Sequence, residues 1–391
     1  MYPGIEPSNP MGDSLMPMMK GLRLAKYVKD VYKSNAGIYT RDMLLKLEED
    51  LSSTEPSQLI KISCMNGGFL TAVRPSMEYN IKVKMLDINE MTERARTAFT
   101  SGFLKDEVYH FTEEQRTTIT CPITISTVLR DAKKHDLREL EAAWNRGWLS
   151  WGKSPVHKAL LQALKTLGPK MPEISKVLCL GLGPLGGDLS SAKKPGDGQA
   201  NYRNITQHMF AATLTKTLSS RLKRRIPLMV SDPEYTENDK KILWINEKMK
   251  VIEGSGARAL AEIDSKTLVV CFNPSIALKQ VVSDFAKPAA MIWGQTVSTH
   301  KKRQRRGSRT CRLGDYYDEF VIAKEPIRFG KINMCIRKQI IDDLAIAIET
   351  ELELPNTNGM AKHGWGNTHM DDMDGVVIVD YEPEDEWVFL D

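Results

Sequence analysis

Apolar positions along this chain change their spacing several times, and each change predicts a different element. Residues 22–32 and 40–51 carry apolar side chains at helical intervals, with Leu44, Leu45, Leu47 and Leu51 in the second run. Tyr79, Ile81, Val83 and Met85 then alternate with Asn80, Lys82 and Lys84, the period-two pattern of a half-buried strand over residues 77–87. Residues 117–125 read as a second β-rich stretch. Helical spacing returns over residues 137–167, interrupted at Pro155, with Val156, Leu160, Leu161 and Leu164 on one face. Trp144, Trp148 and Trp151 in that stretch read as packing against whatever sheet follows.

From Lys176 the pattern becomes strongly α/β. The run from Lys176 to Gly183 is apolar throughout and ends in glycines, as in a parallel strand buried on both faces. Further strands are predicted at residues 226–232, 250–254, 267–273, 289–294 and 320–323, and helices at 206–222, 237–249 and 257–262. Strands alternating with helices at these intervals imply right-handed crossovers. The predicted fold class is therefore α/β, a Rossmann-like doubly wound and mostly parallel sheet. Ile336, Ile340, Ile341, Leu344 and Ile348 predict a closing amphipathic helix over residues 333–351. The chain divides on this reading into a disordered leader (1–20), an α+β N-terminal extension (21–130), the Rossmann-like domain (131–352) and an acidic C-terminal tail (353–391). The tail is expected to be disordered or to order on a protein partner.

Composition narrows the classes. Of 391 residues 41% are hydrophobic, enough for a large core. The 54 basic and 50 acidic side chains leave a net charge of only +4, so nucleic-acid binding must be argued from local patches. Six cysteines occur with no C-x-x-C pair and no zinc spacing, which fits a reducing compartment and no metal site. No run has the ~18 apolar residues of a membrane span, and the N-terminus has no signal-peptide core. No membrane partner is expected, and the location is read as cytoplasmic or nuclear. The nuclear reading rests on Lys301, Lys302, Arg303, Arg305 and Arg306, a basic cluster that also suits phosphate or nucleic acid, or a solvated loop.

The best candidate ligand site is the turn Gly181-Leu182-Gly183-Pro184-Leu185-Gly186 after the first strand. Its G-x-G-x-x-G form lets backbone approach a phosphate or ribose. A polar insertion follows Gly187 and delays the predicted helix by about twenty residues, which argues against an ordinary dinucleotide site. Asp232 closes the second strand, where such domains hold a ribose, although Asp-Pro also starts turns. Asn273, in Asn273-Pro274-Ser275 at the end of the fourth strand, resembles the amino-binding corner of some nitrogen methyltransferases, and is equally a turn. His208 opens the first crossover helix beside Gln207, as an acid/base group or a packed side chain. Cys121-Pro122 matches the dipeptide of haem-responsive motifs.

Several ordered blocks together resemble a known family. Lys176 to Gly183, Gln207-His208, Ser231-Asp232-Pro233-Glu234-Tyr235 and the segment from Asp264 to Pro274 resemble the sensitivity-to-red-light-reduced-like domain in its fungal form. Residues 148–164 resemble its lead-in helix and Pro288 to Trp293 its closing strand. The resemblance spans residues 135–300. It implies a regulatory protein, from a family linked to light and circadian signalling in plants and to haem metabolism and cytoskeletal phenotypes elsewhere. It assigns no catalytic residue. A small nucleotide-type ligand at Gly181, Gly183, Gly186, Asp232, His208 and Asn273 is the expectation, its identity open. The alternative is an S-adenosylmethionine-dependent methyltransferase, with Gly181 and Gly183 against the cofactor, Asp232 on its ribose and Asn273 facing the acceptor nitrogen. A haem- or nucleic-acid-responsive protein is the third reading.

Overall fold

A computed structural model of the chain describes residues 10–34, 37–53, 59–73, 79–98, 112–129, 135–187, 202–272, 278–295, 313–325 and 328–338. Its centre is the run of strands predicted from Lys176 onward: β5 (Lys176–Leu180), β6 (Leu228–Ser231), β7 (Lys250–Val251), β8 (Thr267–Cys271), β9 (Ala290–Gln295), β10 (Tyr317–Glu325) and β11 (Gly330–Arg337). They form one seven-stranded sheet in the order β7-β6-β5-β8-β9-β11-β10. The five strands β5 to β9 pair in parallel, and β11 runs antiparallel to both β9 and β10. Through its first five strands this is the Rossmann order, and a hairpin stands where a sixth parallel strand would follow.

Side chains alternate across each strand, so both faces of the sheet carry core. Val177, Cys179, Leu268, Val270 and Ile292 point to one face. There they meet α5 (Leu137–Gly152), α6 (Pro155–Leu167), α7 (Arg203–Arg221) and α8 (Glu237–Glu247). Pro155 breaks the predicted long helix into α5 and α6, and Ser154 caps the second of them. Trp144 and Trp151 are buried in this layer, and Trp151 Nε1 donates to Thr213 Oγ1 at 2.8 Å. Trp148 is 40% exposed, with the Lys216 ammonium 5.1 Å from its ring, so only two of the three tryptophans serve the core.

Leu178, Leu180, Val269, Cys271 and Met291 point to the other face. The N-terminal extension covers it, together with α9 (Ala257–Ala261) and α10 (Leu278–Asp284). The extension comprises α1 (Pro10–Ser34), α2 (Arg41–Ser52), α3 (Ile88–Thr97), α4 (Glu113–Thr120) and two antiparallel strand pairs. These pairs are β1 (Leu59–Ser63) with β2 (Phe69–Val73) and β3 (Tyr79–Met85) with β4 (Ile123–Leu129). Helix α1 begins inside the segment read as a leader, at Pro10. Polar locks accompany the apolar contact. Glu48 of α2 accepts from Ser255 N–H and Ser255 Oγ, both at 2.8 Å, and from Arg258 N–H at 3.2 Å, which caps α9. Asp284 of α10 accepts from the N–H groups of Ile38 and Tyr39.

Two predicted elements are corrected. Residues 117–120 finish helix α4, although all four are β-branched. Thr112 and Gln115 form a reciprocal capping box that starts the helix and outweighs local β propensity. The predicted closing helix does not start at Asn333, because Asn333 to Arg337 end strand β11. Between β9 and β10 this strand has neighbours on both faces, burying Met334 and Ile336 in one layer and Cys335 in the other. Such two-sided burial hides the period-two pattern in sequence. Residues 339–351 of that expected helix, and the acidic tail, lie outside the described residues.

Candidate functional site

The glycine turn leaves the carboxyl end of β5 as predicted, at the point where strand order reverses between β6 and β8. Gly181 and Gly183 adopt φ of +64° and +80°, which only glycine takes without strain. Gly181 still bonds across the ladder, its N–H donating to Ser231 O at 3.0 Å. None of the described residues lies within 4 Å of where a Cβ on Gly181 would sit, so this end of the turn is open.

The other end is closed by the protein's own side chains. Asp232 Oδ2 accepts from Gly183 N–H at 2.8 Å, and its Oδ1 accepts from Glu234 N–H at 2.9 Å. Asp239 Oδ1 accepts from Leu185 N–H at 3.1 Å, while its Oδ2 takes the N–H and hydroxyl of Thr236. Asn204 Nδ2 donates to Pro184 O at 2.8 Å, and the Asn204 side chain occupies the space beside Gly183. His135 fills the corresponding space beside Gly186. Gly183 and Asp232, both singled out in the sequence, are neighbours here, and the aspartate holds the turn itself. Residues 185–187 are already helical directly after the turn, so the helical start is not delayed, and residues 188–201 lie outside the described residues.

His208 sits one helical turn into α7 and is fully buried. Its Nδ1 lies 2.7 Å from Asn204 O, an acceptor only, so the proton is on Nδ1. Nε2 is then the acceptor for the Tyr235 hydroxyl, also at 2.7 Å. Burial is the main cause that pulls the histidine down to about 4, and the Asn204 carbonyl opposes it. Burial also pushes the Tyr235 phenol well above its ordinary value, with Asp232 adding to the effect. Both ring nitrogens of His208 are engaged, which makes it a neutral brace between α7 and the β6–α8 turn. Gln207, its neighbour, donates to Arg328 O.

Four members of this cluster were not singled out in the sequence: Asn204, Tyr235, Asp239 and His135. Asp239 carries a readable signal, since Thr236 with Asp239 three residues on is a capping-box pattern. Asn273 and the basic cluster at 301–306 lie outside the described residues. Cys121 is buried behind α4, away from any open ligand edge. An open groove of about 760 Å³ exists between α1, α2 and the end of β1, and no residue of the glycine-turn cluster lines it. Among the described residues no group of three metal-ligating side chains occurs, and no helix is long and apolar enough to cross a membrane.

Neither a curated protein nor a solved structure matches the chain. Residues 158–351 match the SRR1 domain, a span that opens in α6 and takes in the glycine turn, Asp232, His208, Tyr235 and the whole seven-stranded sheet. The chain therefore belongs, through residues 158–351, to the SRR1 domain family, that of sensitivity to red light reduced.

Proposed function

We propose that this chain is a regulatory member of its family that binds a phosphate-free, nucleoside-type ligand at the open end of the glycine turn. The observation that carries this reading is the division of the turn. Among the described residues nothing stands beside Gly181, whereas the N–H groups of Gly183 and Leu185 are taken by Asp232 and Asp239. A pyrophosphate needs those donors, and it would meet two acidic side chains in their place. Like charges 4 Å apart repel by about 4 kcal/mol near a protein surface, more than the gain from one added hydrogen bond. A ligand without phosphate, neutral or cationic, escapes that penalty and keeps the ribose-facing position of Asp232 within reach.

His208 supports a binding role over an acid/base role, because its Nδ1 proton is held by Asn204 O and its Nε2 is occupied by the Tyr235 hydroxyl. The methyl-transfer alternative is not taken up, since its acceptor-facing residue, Asn273, is outside the described residues. A thermal-shift panel with adenosine, S-adenosylmethionine, NAD and ATP tests the proposal. Adenosine or S-adenosylmethionine at 100 times its dissociation constant should add about 2.7 kcal/mol of stability. Gly181→Val, which fills the open end, should abolish that shift. Stabilisation by ATP or NAD alone would overturn the phosphate-free assignment, and no shift with any of the four would remove the ligand reading.

A further inference from the structure

Cys121, the cysteine of the Cys-Pro dipeptide, plays no part in the glycine-turn cluster, yet the fold gives it a specific neighbour. Cys64 follows β1 and Cys121 follows α4. The two segments are held side by side by Met65 N–H donating to Thr120 O at 3.1 Å, and the hairpin beyond Cys64 is closed by its N–H to Gly68 O at 2.9 Å. The two thiols lie beside each other, the Cys64 thiol donating to Ile62 O at 3.6 Å and the Cys121 thiol to Ile123 O at 3.2 Å. Cys64 lines the groove between α1, α2 and the end of β1, and Cys121 lies behind it, almost wholly buried.

A cation attends the pair. Arg94 of α3 donates through Nη2 to the carbonyls of Thr118, Ile119 and Cys121, the last at 2.6 Å. Its charge favours the thiolate form of both cysteines. The neighbouring sulfur pulls Cys121 down and, with burial, pushes Cys64 up, so the pair gives up its first proton from Cys121 more readily than its second from Cys64. The remaining proton then sits on Cys64, beside the Cys121 thiolate. Cys179 and Cys271 provide the contrast. They sit inside the sheet on opposite faces, neither lines that groove, and burial pushes Cys179 far up. Cys335 is likewise pushed up to about 12 by burial. Among the described cysteines only Cys64 lines the groove, and the Cys121 thiol, the one pulled down, lies directly behind it.

We propose that Cys64 and Cys121 are a reversible dithiol–disulfide site, oxidised by a small disulfide that enters through the groove. The Cys121 thiolate takes the Cys64 proton as Cys64 Sγ attacks one sulfur of the incoming disulfide, forming a mixed disulfide and expelling one thiolate. That thiolate takes the proton from Cys121. The Cys121 thiolate then attacks Cys64 Sγ, closes the internal disulfide and expels the second thiolate. Two protein thiols are oxidised, one small disulfide is reduced to two thiols, and no other electron carrier is needed. The bond ties the β1–β2 hairpin to the junction of α4 and β4, and so fixes the wall of the groove.

The test is peptide mapping of the full chain after incubation with oxidised glutathione, free thiols being alkylated before digestion. The expected product is a peptide pair joining Cys64 to Cys121, lighter by two hydrogens than the reduced pair and restored by dithiothreitol. Cys179 and Cys271 should stay unmodified until the chain is unfolded, which shows that the fold has held. In Cys121→Ser the reaction should stop at a glutathione adduct on Cys64, and in Cys64→Ser no adduct should form on Cys121 over the same time. Equal alkylation of Cys64, Cys121 and Cys179 after oxidation would overturn the proposal. So would a stable glutathione adduct on Cys64 in the unsubstituted chain.

Discussion

His208 shows how burial decides what a side chain can do. Its folded-state titration lies near 4 against about 6.5 for the unfolded chain. The unfolded state therefore binds the extra proton first as pH falls. The contribution is fully present above pH 6.5 and is lost progressively toward pH 4, an amount of about 3 kcal/mol. Replacing His208 by Gln should destabilise the protein at pH 7 and narrow its deficit at pH 4.5, as read by urea unfolding at both values. An unchanged deficit across that range would show that the buried imidazole is not the group responsible. The two positive-φ glycines of the turn give a second residue-scale expectation. Gly181→Ala costs about 1 kcal/mol of backbone strain and meets nothing. Gly183→Ala adds displacement of Asn204 and loss of its bond to Pro184 O, for about 2–3 kcal/mol in all. Equal losses in thermal unfolding would contradict the asymmetry of the turn.

Among elements, α2 and α9 are coupled through one carboxylate. Glu48 satisfies three donors at the start of a helix only five residues long, which has too few turns to persist by itself. Glu48→Ala should cost about 2–4 kcal/mol, because it removes a cap and leaves part-buried N–H groups without their acceptor. Hydrogen exchange should quicken at Ser255 to Ala261 before it does in β5 or β8; uniform acceleration would mean that the cap is not the local lock. Element identity was legible where periodicity and length agreed, as in α2, α5 through α8 and the parallel strands. It failed where a competing signal prevailed. A capping box made a helix of the threonine-rich segment ending at Thr120, and burial on two faces made β11 a strand.

At the scale of the whole molecule, the N-terminal extension is one layer of the fold. It covers a sheet face carrying Leu178, Leu180, Val269, Cys271 and Met291, all buried. A chain starting at His135 exposes that face at about 25 cal/mol for each Å² of apolar surface. It should bind a hydrophobic dye and self-associate, measured by dye fluorescence and light scattering. A monomeric, dye-silent fragment would show that the SRR1-matching region is stable without the layer.

The sequence by itself determined the alternation of strands and helices from Lys176 onward, the glycine turn after the first strand, Asp232 at the end of the second, and the family these blocks resemble. All of these are local patterns, written in spacing and residue type within a few turns of chain. Tertiary structure alone decided that Asp232 and Asp239 close one end of that turn, that His208 braces Tyr235, that Cys64 meets Cys121, and that the extension covers the second sheet face. Each of those joins residues far apart in the chain, whose meeting depends on how layers pack and which donors burial leaves to be satisfied.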